Sequence, residues 1–131
     1  MIDRVGTVSV FVDDQERAKT FYTEKLGLEL RNDSLLYPGA AARWIAVAPK
    51  DAFTEIILYL PDENWGHYKQ VVGKSQAITL AVNDLKKLHT ELKGKDVKFV
   101  QEPDTQHWGT YAIIEDSEGN HIILVEQAKQ E

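Results

Sequence analysis

Two ionisable side chains stand at matching places in this sequence, Glu55 opening "EIILYL" and His121 opening "HIILVE". Each precedes an isoleucine by two residues, Ile57 in the first run and Ile123 in the second. Side chains alternate along a strand, so Glu55 shares a face with Ile57 and Tyr59, and His121 with Ile123 and Val125. A histidine titrates near neutral pH, and beside a carboxylate it can form an acid/base pair. The same two groups could instead supply donors to a divalent cation. The neighbouring strands add only Ser9 and Thr79, which disfavours a metal. Glu55 and His121 are therefore the catalytic candidates if there is chemistry, ligand-contacting groups if there is binding, and strand-end residues at solvent otherwise.

Aromatic groups form the second set. Trp44 in "ARWIAVAP" alternates with Ile45 and Val47 and lies beside Ala46 and Ala48, which leave room for a ring or a ligand. Trp108 in "QHWGTY" precedes Gly109 at the mouth of a strand. Either indole could stack on a flat or cationic ligand; otherwise Trp44 fills core space and Trp108 covers a rim. Trp65 is expected to pack the connector. His107 reads as a surface-loop residue, and His67 and His89 have no partner at metal-ligand spacing. "GKS" at 73–75 lacks the glycine pattern of a phosphate loop, and no nucleophile elbow is present.

Composition narrows the classes. The 131 residues are 43% hydrophobic and 27% charged, as in an ordinary soluble globular domain. Zero cysteines exclude a disulfide framework, a thiolate nucleophile and cysteine-ligated zinc. A net charge of −6 argues against nucleic acid and anionic membranes as partners. No apolar run reaches membrane-spanning length and the N-terminus lacks a signal-peptide layout, so the expected location is the cytoplasm.

The elements that must position these groups follow one pattern used twice. In "VSVFVDDQERAKTFYTEKLGLEL", Val8, Val10 and Val12 mark a strand, and Asp13 or Asp14 caps a helix, Asp13 with Glu16 at capping-box spacing. Ala18, Phe21, Tyr22 and Leu26 form its apolar stripe, and Gly27 ends it. In "ITLAVNDLKKLHTELKGKDVKF", Ile78, Leu80 and Val82 mark a strand, Asn83 or Asp84 caps, Leu85, Leu88 and Leu92 form the stripe, and Gly94 ends it. Val8 and Ile78, Val12 and Val82, and Asp14 and Asp84 are each separated by 70, an internal repeat. Three strands are expected after each helix: near Leu28–Arg31, Arg43–Ala48 and Glu55–Leu60, then near Val97–Val100, Thr110–Glu115 and His121–Glu126. The stretch "NDSLLYPGAAAR" reads as a loop. The order is βαβββ twice, residues 3–60 and 76–127 of one compact α+β domain, with a polar connector over 61–75 that has room for a short helix near Trp65.

This layout, with "FYTEKLGLEL" closing the first helix, "WG" at 108–109 and "DSEGN" before the last strand, resembles the glyoxalase / bleomycin resistance / extradiol dioxygenase superfamily, the vicinal oxygen chelate proteins. The resemblance implies a curved mixed sheet around a cleft, helices outside, and often a homodimer. It also implies a cation site at four strand positions, which fall on Thr7, Ile57, Ala77 and Ile123. Three of these side chains carry no donor, so no cofactor is expected.

Alternation gives the two faces different tasks. One reads Val8, Val10, Val12, Ile56, Leu58, Leu60, Ile78, Leu80, Val82, Ile122 and Leu124, uniformly aliphatic and suited to packing on helices. The other mixes small, polar, aromatic and ionisable residues, as a ligand pocket does. Its expected ligand-contacting residues are Ser9, Phe11, Trp44, Glu55, Ile57, Tyr59, Thr79, Trp108, His121 and Ile123. The expectation is a metal-independent protein that binds a small organic molecule. The alternative is a glyoxalase-like lyase, isomerase or dioxygenase acting on a small oxygenated substrate through a displaced metal site or acid/base residues.

Overall fold

The computed structural model describes residues 1–61, 66–75 and 77–128, and the His67 side chain lies outside this description, as does Trp65. In chain order the elements are β1 (Thr7–Phe11), α1 (Gln15–Thr20) continued by a π-helical turn (Phe21–Lys25), β2 (Glu29–Leu35), β3 (Arg43–Ala48), β4 (Glu55–Tyr59), α2 (Gly66–Lys69), β5 (Ile78–Ala81), α3 (Leu85–Gly94), β6 (Phe99–Gln106), β7 (Gly109–Glu115) and β8 (His121–Gln127). Both modules have the βαβββ order. Each builds a four-stranded mixed sheet, β1-β4-β3-β2 and β5-β8-β7-β6, in which only the first and last strands of the module run parallel. A parallel pair needs a long crossover, and α1 and α3 begin those crossovers. No helix among the described residues is long and apolar enough to cross a membrane.

The helix starts follow their capping chemistry. Asp14 accepts from Arg17 N at 2.9 Å and Asp84 from Lys87 N at 3.0 Å. The expected Asp13–Glu16 box does not form, because Asp13 gives its N–H to Glu118 of the second module. Gly27 takes φ +75° and stops the first helix, whereas at the second the left-handed residue is Asp96, φ +61°, and Gly94 stays helical. The π-helical turn lets two consecutive aromatics, Phe21 and Tyr22, both face inward. Two strands run further than expected. Asn32 to Leu35 are strand rather than loop, paired with β3 as far as Leu35 opposite Arg43. Likewise β6 runs to Gln106, absorbing Pro103 at a register shift between Gln101 and Asp104. Both are edge strands with little burial, so neither carries the apolar alternation that would have marked it.

The aliphatic face packs as expected. Val10, Val12, Ile56, Leu58, Ile122 and Leu124 join Ala18, Phe21, Tyr22, Leu85 and Leu92 in one continuous core, with Ile78, Leu80 and Val82 partly buried against it. Val8 departs from the pattern and is exposed, near the open end of edge strand β1. Buried Gln15 anchors α1 by donating to Arg43 O and Leu58 O at 2.7 and 2.8 Å.

The turn "DSEGN" locks the modules together. Glu118 Oε1 accepts from Asp13 N and Asp14 N at 2.9 and 3.0 Å, while Arg17 binds both Glu118 oxygens at 2.7 and 2.9 Å. Burial by itself would raise the Glu118 carboxyl. Arg17, Ser117 and the two backbone N–H groups outweigh it and hold the group at about 2. Its folded value therefore lies below the ordinary 4.5, so the stabilisation is complete above that pH and is lost as pH falls toward 2. Because Arg17 is half exposed, the part at stake is about 1–2 kcal/mol. Glu118→Gln should remove it, flattening the acid limb of a urea-unfolding stability profile between pH 5 and 2. An unchanged limb would mean the clamp does not hold in solution.

Candidate functional site

The strand registers place the predicted residues on one face of each sheet in three rows. On the first sheet, Thr7 lies opposite Glu55, Ser9 opposite Ile57 and Phe11 opposite Tyr59. Ala46 faces Ile57 across β3, and the same alternation puts Trp44 beside Tyr59. One end of this face is thus aromatic, the middle small and aliphatic, and the other end charged. The second sheet repeats the grading. Thr79 lies opposite Ile123, Ile113 opposite Ile123, Tyr111 opposite Val125, and Glu115 opposite His121.

At the aromatic end of the first sheet, Phe11 meets Tyr59 edge-on at 6.0 Å and 85°. Tyr68, from α2 in the connector, stacks on Phe11 at 4.7 Å and 18°. Ser9, Phe11, Tyr59 and Tyr68 line a hollow of about 220 Å³. The Phe11 backbone is fixed from both sides: its N–H donates to Ser75 Oγ at 3.0 Å and its carbonyl accepts from Asn120 Nδ2 at 3.0 Å. The Cβ position of Gly73, φ +78°, lies 2.8 Å from Glu118 O, so only glycine lets the connector lie this close to the clamp turn.

The charged ends differ from the expectation of an acid/base pair. Arg31, which follows Leu30 at the irregularity in β2, approaches Glu55 at 3.5 Å and Glu29 at 2.8 Å. The Glu29 contact is poorly aligned for a hydrogen bond, since the buried Arg31 Nε is left without one. The same guanidinium donates to Pro49 O and Ala52 O at 3.0 and 3.1 Å, pinning the β3–β4 turn. Glu55 thus lies within ion-pair distance of a cation on its own sheet. His121 is exposed at the start of β8, and its cross-strand neighbour Glu115 pairs with Lys98 at 3.2 Å. Glu55 and His121 occupy equivalent places on different sheets.

The remaining predicted residues divide by burial. Ile57 is fully buried and underlies the surface, Trp44 and Ile123 are half-buried, and Ser9 and Thr79 are exposed. Trp108 is 44% exposed, its ring 5.7 Å from Tyr111. Three residues at these faces escaped the sequence reading, of which only Tyr68 lines the hollow. Tyr111 was available from alternation, in phase with Ile113 and Glu115. Arg31 is obscured by the irregularity, and Tyr68 sits in a stretch with no periodicity.

Residues 4–124 match the Glyoxalase/Bleomycin resistance protein/Dioxygenase superfamily. This chain belongs to that superfamily. Within it, the chain is similar to the protein YetH of Bacillus subtilis (strain 168), 35% identical over 126 residues that cover 96% of this chain and 100% of YetH. Among solved structures it is similar to UcmS2, at TM-score 0.81 and 34% identity, covering 95% of this chain and 98% of that one. It is also similar to TnmS3, an antibiotic binding protein from Streptomyces sp. CB03234, at TM-score 0.79 and 32% identity, covering 97% and 98% of the two chains. The resemblance implies a cation at four strand positions. At the implied positions Ile57 is fully buried and Thr7 and Ala77 are exposed, and three of the four side chains have no donor atom. Among the described residues, no group of three or more His, Asp or Glu side chains is arranged to hold a metal.

Proposed function

We propose that this protein binds a small organic molecule on the graded face of its sheets, without a metal. The observation that carries this reading is the hollow formed by Ser9, Phe11, Tyr59 and Tyr68 at the aromatic end of the first sheet. Aromatic walls with the Ser9 hydroxyl among them suit a ligand with a flat apolar body and a polar substituent. The likeness to TnmS3, described as an antibiotic binding protein, supports a binding role. The enzyme alternative relies on Glu55 and His121, and Glu55 is already engaged by Arg31. We further propose a homodimer. The strands β1 and β5 each pair on one side only, and Ser9, Thr79 and Ala81 stand exposed on the same faces, so a second copy can complete a cleft.

The test is a thermal-shift screen of small aromatic and dicarbonyl compounds, with and without chelator, after elemental analysis of the purified protein. A ligand at 100 times its Kd stabilises by about 2.7 kcal/mol, which raises the Tm of a chain this size by roughly 8–10 °C. The shift is expected to be equal in chelator. Stoichiometric metal in the purified protein, or a shift that chelation abolishes, would refute metal-free binding.

A further inference from the structure

We infer that a groove at the second of the two module junctions is a further binding site, one for a short aliphatic chain with a hydrogen-bonding end. The repeat makes two junctions and treats them differently. At the first, the "DSEGN" turn closes on α1, with Glu118 bound to Asp13, Asp14 and Arg17, and Asp116 to Tyr22. At the second, the β3–β4 turn reaches the start of α3 through Pro49, which shares a groove with Val82 and Asn83. In the alignment that matches Glu55 with His121, Ala52 stands where Glu118 does and has no group with which to clamp. The Pro49 and Ala52 carbonyls instead accept from Arg31 of their own module.

Burial records the difference. Val10, Val12 and Ala18 are at most 2% exposed, whereas their counterparts in the repeat, Leu80, Val82 and Leu88, are only half-buried. These three side chains, with Leu26, Leu28 and Pro49 of the first module, wall a groove of about 250 Å³. Leu80 and Val82 belong to the aliphatic face, so this groove is separate from the hollow at Phe11, and its fate is independent of the role proposed there. The walls hold no aromatic ring and no charge, which leaves nothing to stack on or pair with. What they offer is dispersion and escape from water, both of which grow with every methylene of a chain. An apolar cavity of about 150 Å³ already takes up benzene, so the space suffices. Asn83 is the polar member of the lining, exposed, and its side-chain amide makes no hydrogen bond among the described residues. It can donate to, or accept from, a hydroxyl or carbonyl at the chain's end.

Methyl NMR spectra of the whole chain, titrated with 1-butanol, 1-hexanol and 1-octanol, test this directly. The methyls of Leu26, Leu28, Leu80, Val82 and Leu88 are expected to shift saturably, while those of Val10, Val12 and Leu58 at the clamped junction stay in place. Affinity should rise about 2- to 4-fold per added methylene, the upper figure being that of a fully buried one. Leu88→Phe, which fills the groove from α3, should weaken 1-hexanol binding about tenfold and leave the Val10 and Val12 methyls unmoved. The titration of the unaltered chain decides the matter even if that variant does not fold. Shifts spread evenly over both junctions, no saturable shift, or an affinity indifferent to chain length would overturn the inference. So would a folded Leu88→Phe that binds 1-hexanol as the wild type does. If the same five residues shift on diluting the protein alone, the groove belongs to a second copy of the chain, and the inference is likewise overturned.

Discussion

Asp116→Ala is expected to cost about 3–5 kcal/mol, a large part of the 5–15 kcal/mol typical of a whole domain. Asp116 is 6% exposed, and its two oxygens accept four hydrogen bonds. Oδ1 takes the N–H groups of Glu118 and Asn120, both at 2.8 Å, and Oδ2 takes Tyr22 Oη at 2.7 Å and Asn120 Nδ2 at 3.1 Å. Burial, and then the Asp116 carboxylate itself, push the Tyr22 hydroxyl well above its usual range, so it remains a donor. Removing the carboxylate strands these donors in a mostly buried site. Differential scanning calorimetry should show a Tm lower by roughly 10–18 °C for a chain of this length. A loss under about 1 kcal/mol would mean that the network does not persist in solution. Combined with Glu118→Gln the losses should not add, because one turn carries both groups.

Gly109→Ala is the second large effect, expected at about 2–4 kcal/mol. Gly109 has φ +149°, a conformation side chains rarely adopt, and an added Cβ would overlap the Glu126 carbonyl oxygen on β8. The obstruction is backbone, so no side-chain rotation relieves it. Strands β7 and β8 would have to separate where Gly109 pairs with Gln127, and Trp108 would shift from Tyr111. Chemical denaturation reports the loss, and the near-UV circular dichroism of Trp108 reports the local change. A variant as stable as the wild type, with the same spectrum, would contradict this packing of the rim.

The two effects lie outside the proposed ligand site, and that division is visible in the chain. The clamp turn and the β7 rim hold the modules and their edges. The graded faces carry small, aromatic and charged groups whose removal need not disturb the core. Asp116 nevertheless touches the proposed site at second hand, because the Asn120 Nδ2 that it accepts from also donates to Phe11 O.

Much of the architecture was legible because it is local. Alternation in "VSVFV", "EIILYL", "ITLAV" and "HIILVE", helical stripes ended near Gly27 and Gly94, and the offset of 70 give the repeated module without knowledge of any long-range contact. Alternation also separated the core face from the other one, and put Ser9, Phe11, Ile57, Tyr59, Thr79 and Ile123 together on the latter. Only the tertiary structure decided which of them share a hollow. Tyr68 reaches Phe11 from a polar connector, Arg31 reaches Glu55 across an irregular strand, and Glu118 clamps Arg17 and the start of α1 across more than 100 residues. A periodic pattern records which side of an element faces the core. A contact between two aperiodic segments depends on how whole modules dock, and no residue near either segment records that.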